Sequence, residues 1–279
     1  MKAETETLPR TVFLFHADDT IDLRGLTFWL ATSMNLVGMI LVKEDSSRRS
    51  RVLRNEYKRS GVLGLLDALA FRAYYPFSLA KKDADWINEE AARLKERYPG
   101  RHDGVPQIVV TNPNSDEARR FLMDLKPDVM VARCKFILKP AIYDVPKHGT
   151  FVLHPGICPE YRNSHGCFWA MAERDLERVG MTLLKVDRGV DTGPVYLQAG
   201  CEFDEVRESH VIIQYRVITE NLDRIADTLK RVCAGQIAPI PTAGRKAGVW
   251  GQPRFTAYWR WKRQAQRKRH DTHRLPALS

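Results

Sequence analysis

The chain has 279 residues, of which 44% are hydrophobic and 28% are charged. This length is sufficient for one large domain, or for one domain with a small appendage. No run of about 18 apolar residues occurs, and the N-terminus lacks an apolar signal core, so no membrane span is expected and a cytoplasmic protein is predicted. The five cysteines form no Cys-x-x-Cys pair, which is typical of reduced thiols.

The formal net charge of +10 is concentrated near the C-terminus. From Arg245 onwards there are ten Lys or Arg against one Asp, so this segment alone carries +9. Its stretch RFTAYWRWKRQAQRKRH interleaves Tyr258, Trp259 and Trp261 with basic residues. Such a tail can bind nucleic acid or an anionic surface, or it can dock its aromatic side chains on the protein. Docking is favoured, contact of residues 254–270 with an anionic surface stays open, and nucleic acid is disfavoured.

Strands and helices are predicted to alternate along the chain. The helical stretch LRGLTFWLATSM lies between the strands RTVFLFH and LVGMILV, and this βαβ unit predicts a parallel sheet. Three further strands are VPQIVVT, DVMVARC and GTFVLH, and NPNSDEARRFLMDLKP is a helix capped by Asn114 or Ser115. VGMTLLKVD and GPVYLQAGCEF are predicted to pair, and one long helix is predicted over ESHVIIQYRVITENLDRIADTLKRVCAG.

These elements predict an α/β fold with an open, mostly parallel twisted sheet and a small C-terminal extension. Residues 8–205 are predicted to form the α/β domain, and residues 206–279 the C-terminal helix and basic tail. A helical excursion is expected over residues 44–100. Its first part, residues 44–80, is basic and then apolar with helical spacing. This part is expected to pack on the body, with a membrane-surface or subunit contact as the alternative.

Polar residues follow three of the predicted strands. In an open α/β sheet the ligand crevice lies at the carboxyl ends of the strands. We therefore expect a ligand site at this edge, formed by His154, by Arg133 and Lys135, and by His16, Asp18 and Asp19.

Two motifs, HPGICPEYRNSHG at 154–166 and VDRGVDTGP at 186–194, together resemble the formyltransferase family that uses 10-formyltetrahydrofolate. The resemblance covers roughly residues 105–200 well, including the strand and loop KPDVMVARCKFIL. It implies a sheet of the formyltransferase, Rossmann-like type. It also implies transfer of a formyl group from 10-formyltetrahydrofolate to an amine of a small molecule, such as an amino sugar or a secondary metabolite.

The resemblance also implies roles for individual residues. His154 would be the acid and oxyanion stabiliser, and Asp191 the carboxylate that keeps it charged. The cosubstrate pocket would be formed by Lys135, Phe136, Ile137 and Leu138, and by Asp187, Gly189 and Val190. Residues expected to bind the acceptor are His16, Asp18, Asp19, Tyr161 and Arg162.

The sequence departs from the family pattern at two positions. The family's catalytic asparagine is replaced by Val152, which cannot donate a hydrogen bond to an oxyanion, and its second histidine by Leu184. Asn163 and His165 are candidate substitutes on the adjacent loop. The alternative is a non-catalytic or repurposed protein that keeps a folate or other ligand pocket. A third hypothesis is an anion-binding interaction protein that works through its tail.

The first loop narrows the expected acceptor. Asp18 and Asp19 would repel a phosphate and would suit a cationic amine, so a purine-synthesis substrate is disfavoured, although the aspartates can also cap the next helix. Methionyl-tRNA is disfavoured as the acceptor. The formyltransferases that act on it carry a β-barrel domain after the catalytic one, and the chain after residue 200 is too short for such a domain.

Possible metal ligands occur at and near the same loop. The residues include ligand types that Zn²⁺ accepts, but their spacing matches no common zinc pattern, so no metal is predicted. The residues considered are His154, Cys158, His165, Cys167 and Asp191.

Overall fold

In the computed structural model, the backbone is described for residues 7–43 and 47–274, and side chains for residues 7–43 and 52–268. Residues 1–6, residues 44–46 of the predicted excursion and the last five residues of the predicted tail lie outside this description. Nine strands are present in the described ranges: β1 (Arg10–His16), β2 (Asn35–Val42), β3 (Gln107–Val110), β4 (Val129–Arg133), β5 (Thr150–His154), β6 (Arg162–Asn163), β7 (Gly180–Lys185), β8 (Val195–Gly200) and β9 (Val249–Trp250).

Seven of these strands form one sheet in the order β3-β2-β1-β4-β5-β7-β8. The first five are parallel neighbours, whereas β7 and β8 are antiparallel and complete one edge. The predicted mostly parallel α/β sheet is therefore confirmed. The carboxyl ends of β1, β4 and β5 are adjacent, because β4 pairs with both other strands.

Helices cover both faces of this sheet. The α-helices of the described ranges are α1 (Thr27–Ser33), α2 (Ser47–Ser78), α3 (Ala80–Arg97), α4 (Asp116–Leu125), α5 (Pro140–Tyr143), α6 (Gly166–Ala172), α7 (His210–Thr219), α8 (Leu222–Cys233) and α9 (Phe255–Arg274). Ser115 caps α4 by accepting a hydrogen bond from the Ala118 N–H. None of the helices in the described residues is long and apolar enough to cross a membrane.

Alternation of side chains along the central strands produces two hydrophobic layers. Phe13 and Phe15 of β1 belong to the larger cluster, and Val12 and Leu14 of the same strand belong to the cluster on the opposite face. The larger cluster also contains Trp261 of α9 and apolar side chains of α7 and α8. The segment after residue 205 therefore packs on the sheet and shares its core.

Two predicted helices differ from the structure. The helix predicted from residue 23 begins with one turn of π-helix over Asp22–Leu26 before α1. The single helix predicted over residues 208–235 is wrong, because the chain forms α7 and α8 with a break between them. At this break the Asn221 side chain donates hydrogen bonds to the carbonyls of Gly200 and Val217, which fixes the turn against β8.

The described part of the excursion contains α2 and α3, and the C-terminal helix α9 packs on α2. α2 contains a residue with non-helical backbone, Gly61 (φ 66°), in the left-handed region that glycine adopts without strain. α9 packs on α2 and α6 through Tyr258 and Trp261, both of which are buried. Two aromatic residues of the basic segment are therefore docked in the core, whereas Trp259 is 54% exposed.

Candidate functional site

His154, the last residue of β5, lies beside a carboxylate from the loop between β7 and β8. Its Nδ1 lies 3.7 Å from Asp191 Oδ2, and its Nε2–H donates a hydrogen bond to the Tyr161 carbonyl at 2.8 Å. The side chain is only 7% exposed. Asp191 Oδ2 also accepts a 2.7 Å hydrogen bond from the Asn163 N–H, so the two motif loops are joined at this carboxylate.

The surroundings of His154 favour the imidazolium. Burial lowers the pKa of His154, but the charge of Asp191, the sulfur of Cys158 and the Tyr161 carbonyl together raise this pKa to about 10. The carboxylate 3.7 Å away in a poorly hydrated site is the largest of the contributions that oppose the desolvation cost. His154 therefore carries a proton at neutral pH, which is the state required to stabilise an oxyanion and to protonate a leaving nitrogen.

The turn after His154 is held by groups of the neighbouring antiparallel strands. The Thr182 hydroxyl donates to the Gly156 carbonyl at 2.7 Å and accepts from the Cys158 N–H at 3.0 Å. The Gln198 amide donates to the Cys158 carbonyl. Thr182 is the cross-strand partner of His154. The sequence does not predict that Thr182 and Gln198 hold this turn, because their contacts depend on the register of β5, β7 and β8.

Asn163 and His165 lie on the same loop and differ in their environments. The Asn163 amide donates to the Trp250 carbonyl of β9, so the side chain is held by the small β6–β9 sheet. His165 precedes α6 with a left-handed backbone (φ 61°). Burial and the positive charge of Lys135 lower the pKa of His165 to about 4, so this imidazole is neutral at pH 7. His154 is thus the charged imidazole of this loop.

The two loops expected to hold the cosubstrate are shaped by their own hydrogen bonds. Asn114 donates to the Ile137 carbonyl at 3.0 Å and accepts from the Lys139 N–H at 2.7 Å. Asp187 accepts from the Gly189 N–H at 2.9 Å and from the Thr192 hydroxyl at 2.8 Å. The side chains of Ile137 and Val190 are 70% and 40% exposed, Phe136 is half-buried and Leu138 is buried. Both loops therefore present an apolar side chain to solvent.

The end of β1 contributes structural contacts and one exposed carboxylate. His16 Nε2 accepts a 3.0 Å hydrogen bond from the Lys135 N–H, which ties β1 to the loop after β4. Asp19 accepts from the Asp22 N–H at 3.1 Å and from the Tyr215 hydroxyl at 2.7 Å, so it caps the following turn. Asp18 is exposed.

Arg133, predicted for the strand-end edge, and Tyr161 and Arg162, predicted to bind the acceptor, all make contacts within the protein. Arg133 forms a buried ion pair with Asp22, and burial raises the pKa of Asp22 well above its usual range even though Arg133 opposes this shift. The buried Tyr161 donates from its hydroxyl to Asp175 at 2.9 Å and stacks on Trp250. The half-buried Arg162 donates its backbone N–H to the Gly248 carbonyl, and its side-chain Nε has no hydrogen-bond partner among the described residues.

Val152 and Leu184, where the sequence departs from the formyltransferase motif, are cross-strand partners in β5 and β7. They form an apolar cluster with Cys158 and Val195. Two polar positions of the motif are thus replaced by one packed apolar pair. The departure is a single coupled change beside His154, and no unpaired polar group is left behind.

Restoring the motif residue alone is expected to destabilise the chain. Val152→Asn places an amide in this apolar cluster, at a cost of about 1–3 kcal/mol in the free energy of unfolding. Val109→Asn, the same change at a 57% exposed position of the edge strand β3, is the matched control and should cost much less. Denaturant unfolding measures both, and adding Leu184→His should recover part of the loss, because an imidazole opposite the amide can accept its hydrogen bond. Equal costs for the two asparagine variants would contradict the packed-pair interpretation.

The site offers no assembled set of metal ligands. Within the described chain, no three His, Cys, Asp or Glu side chains are gathered as an ion would require. Cys167 lies fully buried in α6, and its Sγ donates to the Gly180 carbonyl.

The fold is shared with solved formyltransferases. A phosphoribosylglycinamide formyltransferase from Anaplasma phagocytophilum matches with a TM-score of 0.52 and 14% identity, over 88% of this chain and 100% of that one. A sugar N-formyltransferase from Shewanella matches with a TM-score of 0.51 and 14% identity, over 87% of this chain and 76% of that one. At this identity the likeness concerns the fold.

Sequence relatives match about half of the chain. A methionyl-tRNA formyltransferase from Thermodesulfovibrio yellowstonii is 28% identical over 143 residues, which are 50% of this chain and 46% of the relative. The human mitochondrial 10-formyltetrahydrofolate dehydrogenase is 25% identical over 48% of this chain and 14% of its own length. The matched region thus spans less than half of these curated relatives. The family model described as Formyl transferase matches residues 87–229, more than half of the chain. The chain therefore belongs to the formyl transferase family.

Proposed function

We propose that this protein transfers a formyl group from 10-formyltetrahydrofolate to the amine of a small molecule. The observation that carries the proposal is the buried His154–Asp191 pair at the carboxyl end of β5, in which the pKa of His154 is raised to about 10. A buried imidazolium aimed at a strand-end loop is costly to maintain, and formyl transfer requires such a group.

The donor supplies an electrophilic carbonyl carbon, and the residues of the chain act around it. His154 would stabilise the oxyanion that develops when the amine attacks this carbon. Its proton would then pass to the departing folate nitrogen, and the excess proton of the attacking amine would restore the imidazolium. Asp191 would hold His154 charged and oriented throughout, without itself taking a proton.

The cosubstrate would lie between the loop Lys135–Leu138 and the loop Asp187–Val190. Ile137 and Val190 offer exposed apolar contact to a flat ring system, and hydrogen bonds within each loop fix their positions. Preformed loops reduce the ordering cost of binding. The human relative, whose name includes 10-formyltetrahydrofolate, supports this choice of donor.

An amine of a small molecule, such as an amino sugar, is the proposed acceptor. Asp18 is the exposed carboxylate at the end of β1 and would attract a cationic amine before it loses its proton. His16, Asp19 and Tyr161 would act mainly by positioning the strand-end loops, as their contacts within the protein suggest. Arg162 would contribute to this positioning through its backbone N–H. The sugar N-formyltransferase among the fold relatives is consistent with this acceptor class.

A second candidate is a protein that binds the folate without turnover. The apolar pair Val152 and Leu184 favours it, because two polar groups of the motif are missing beside His154. The loss of one oxyanion donor typically lowers a rate by about 10²–10³-fold. Both candidate functions therefore predict folate binding, but only formyl transfer predicts turnover.

The two functions are separated by following consumption of 10-formyltetrahydrofolate. The full chain would be mixed with the donor and with one of several amino sugars, or with hydroxylamine as a small, strong nucleophile. Formyl transfer predicts donor loss with a matching N-formyl product detected by mass spectrometry. A chain that binds the donor but consumes none of it, even with hydroxylamine, would establish the non-catalytic candidate.

A further inference from the structure

A cavity of about 300 Å³ lies between α2 and the segments that begin α6 and α7. Nine of its fourteen lining residues come from α2, and two more, Gln252 and Pro253, precede α9. These two segments lie outside residues 87–229, which match the family model. His165, His210 and Val211 line the opposite wall and lie inside the matched region. The cavity is thus formed where segments outside the family match meet segments inside it.

The cavity has an outer and an inner end. Leu69 and Arg72 of α2 line it and are exposed, so its mouth opens beside them. At the other side lies His165, whose neighbour Gly166 packs against Gly156 in the turn that follows His154. A Cβ added to Gly156 would lie 2.8 Å from His154 Nε2 and 3.0 Å from Gly166 Cα. The wall of the cavity that contains His165 therefore lies beside the turn that follows His154.

Most polar groups around the cavity already have partners. Glu56 accepts from the Gln252 N–H and forms an ion pair with Arg254, and the Tyr75 hydroxyl donates to Asp83. Apart from the exposed Arg72, the charged groups of the wall are therefore neutralised. The remaining wall is largely aliphatic and aromatic, and Phe71 is fixed against Phe168 and Tyr258.

Two imidazoles that line the cavity are the exception among its polar groups. Nδ1 of His210 is buried and has no hydrogen-bond partner among the described residues. Nδ1 of His165 is also buried, and the Gln214 side chain lies near enough to interact with its ring. The two rings lie 6.0 Å apart, and His210 is only 3% exposed. Burial lowers the pKa of both groups, to about 4 for His165 and well below the usual value for His210, so both are neutral. A buried polar atom without a partner is costly unless a ligand or water satisfies it.

We propose that this cavity binds the apolar body of the acceptor and places its amine at His165, next to the turn that follows His154. The inference rests on the proposed function and names the acceptor class: an amine attached to an aliphatic or aromatic group. At ~30 Å³ for each non-hydrogen atom, the cavity accommodates about ten such atoms. The neutral imidazoles would supply the few polar contacts that orient a ligand in an apolar pocket.

Binding of n-alkylamines tests this assignment without requiring turnover. Affinity of the full chain for n-butylamine, n-hexylamine and n-octylamine, measured by calorimetry, should rise about fourfold for each methylene that enters the cavity. Ala68→Phe fills the cavity and should weaken n-octylamine binding by about tenfold or more. Ala70→Phe, the same change at an exposed position of the same helix, is the matched control and should leave binding unchanged.

A second measurement guards against misfolding of the filled variant. In the wild-type chain, n-octylamine should shift the imidazole NMR signals of His210 and His165, whereas ethanolamine should not. Absence of chain-length dependence, equal binding by the two phenylalanine variants, or unshifted imidazole signals would each overturn the proposal.

Transfer assays separate failure of this inference from failure of the proposed function. With 10-formyltetrahydrofolate, kcat/KM should be higher for n-octylamine than for ethylamine. If the donor is consumed at equal kcat/KM for both amines, the cavity does not hold the acceptor, although formyl transfer stands. If the chain neither binds nor consumes the donor, the proposed function is wrong and the acceptor assignment is wrong with it, whatever binds in the cavity.

Discussion

Replacing His154 by glutamine is expected to lower the rate of formyl transfer by about 10³-fold. Glutamine can donate a hydrogen bond, but it cannot carry a proton to the leaving nitrogen, and it removes the positive charge beside Asp191. Removal of a general acid typically costs 10²–10⁴-fold, and removal of an oxyanion stabiliser about 10²–10³-fold. Steady-state consumption of 10-formyltetrahydrofolate with a working amine measures this loss.

His148→Gln is the matched control for that experiment. His148 lies just before β5, at the end of the strand opposite to His154, so the same substitution there leaves the site unchanged. Wild-type kcat is expected for this control, and both variants should still bind the donor. A His154→Gln enzyme that keeps more than about a tenth of the wild-type rate would exclude His154 as the acid.

Replacing Asp191 by asparagine is expected to move the pH dependence of transfer as well as its rate. In the wild type, the pKa of His154 is raised from 6.5 to about 10, so the imidazolium persists through neutral pH. Without the carboxylate that pKa should fall by roughly 1–3 units, because an opposite charge at this distance has an effect of that size. The rate should then decline at a correspondingly lower pH, by about 10²-fold where the wild type is still fully protonated.

Asparagine suits this position in its backbone and in its hydrogen bonding. Asp191 has a left-handed backbone (φ 52°), which asparagine tolerates well, and the amide oxygen can still accept from the Asn163 N–H. Asp144→Asn, at an exposed position after α5, is the control for the loss of a negative charge. A pH profile that is the same for the Asp191 variant and the wild type would contradict the assigned role.

The same pKa shift predicts the pH dependence of stability. Because the folded-state pKa of His154 is raised above its ordinary value of 6.5, the stability that Asp191 contributes is complete below pH 6.5. It is lost as the pH rises through about 10. Thermal unfolding of the wild type and the Asp191 variant should therefore differ most at neutral and acidic pH and converge above pH 10, once His154 is neutral in both.

Much of the sheet could be predicted from local patterns. Buried parallel strands are nearly continuous apolar runs, and such runs end at His16, Arg133 and His154 in this chain. The sequence predicts a cap for α4 at Asn114 or Ser115, and the structure shows that Ser115 is the cap.

Features that depend on distant partners could not be predicted. The break between α7 and α8 follows from the hydrogen bond of Asn221 to Gly200, and the β6–β9 pair joins segments more than 80 residues apart. The cavity under α2 depends on how that helix lies against α6 and α7. None of these contacts leaves a periodic signal in the sequence, since each is made by single side chains or by two-residue strands.

The site itself was anticipated in part. The motifs led us to expect His154 beside Asp191, and the two side chains lie 3.7 Å apart, although their catalytic roles stay predictions. The sequence offers Asn163 and His165 as candidate substitutes for the missing polar groups, and these roles stay predictions. Their environments could not be predicted, because the Trp250 carbonyl and the α2 cavity, respectively, determine them. That Val152 and Leu184 face each other required the strand register.

The most direct test of the central claim is a calorimetric titration with a folate analogue that cannot transfer its formyl group. The full chain and its Asp191→Asn variant would be titrated side by side near neutral pH. Binding to the wild type that weakens in the variant would place the folate at the His154–Asp191 pair. No binding to the wild type at millimolar analogue would contradict the account, and the pair would then have to serve another ligand.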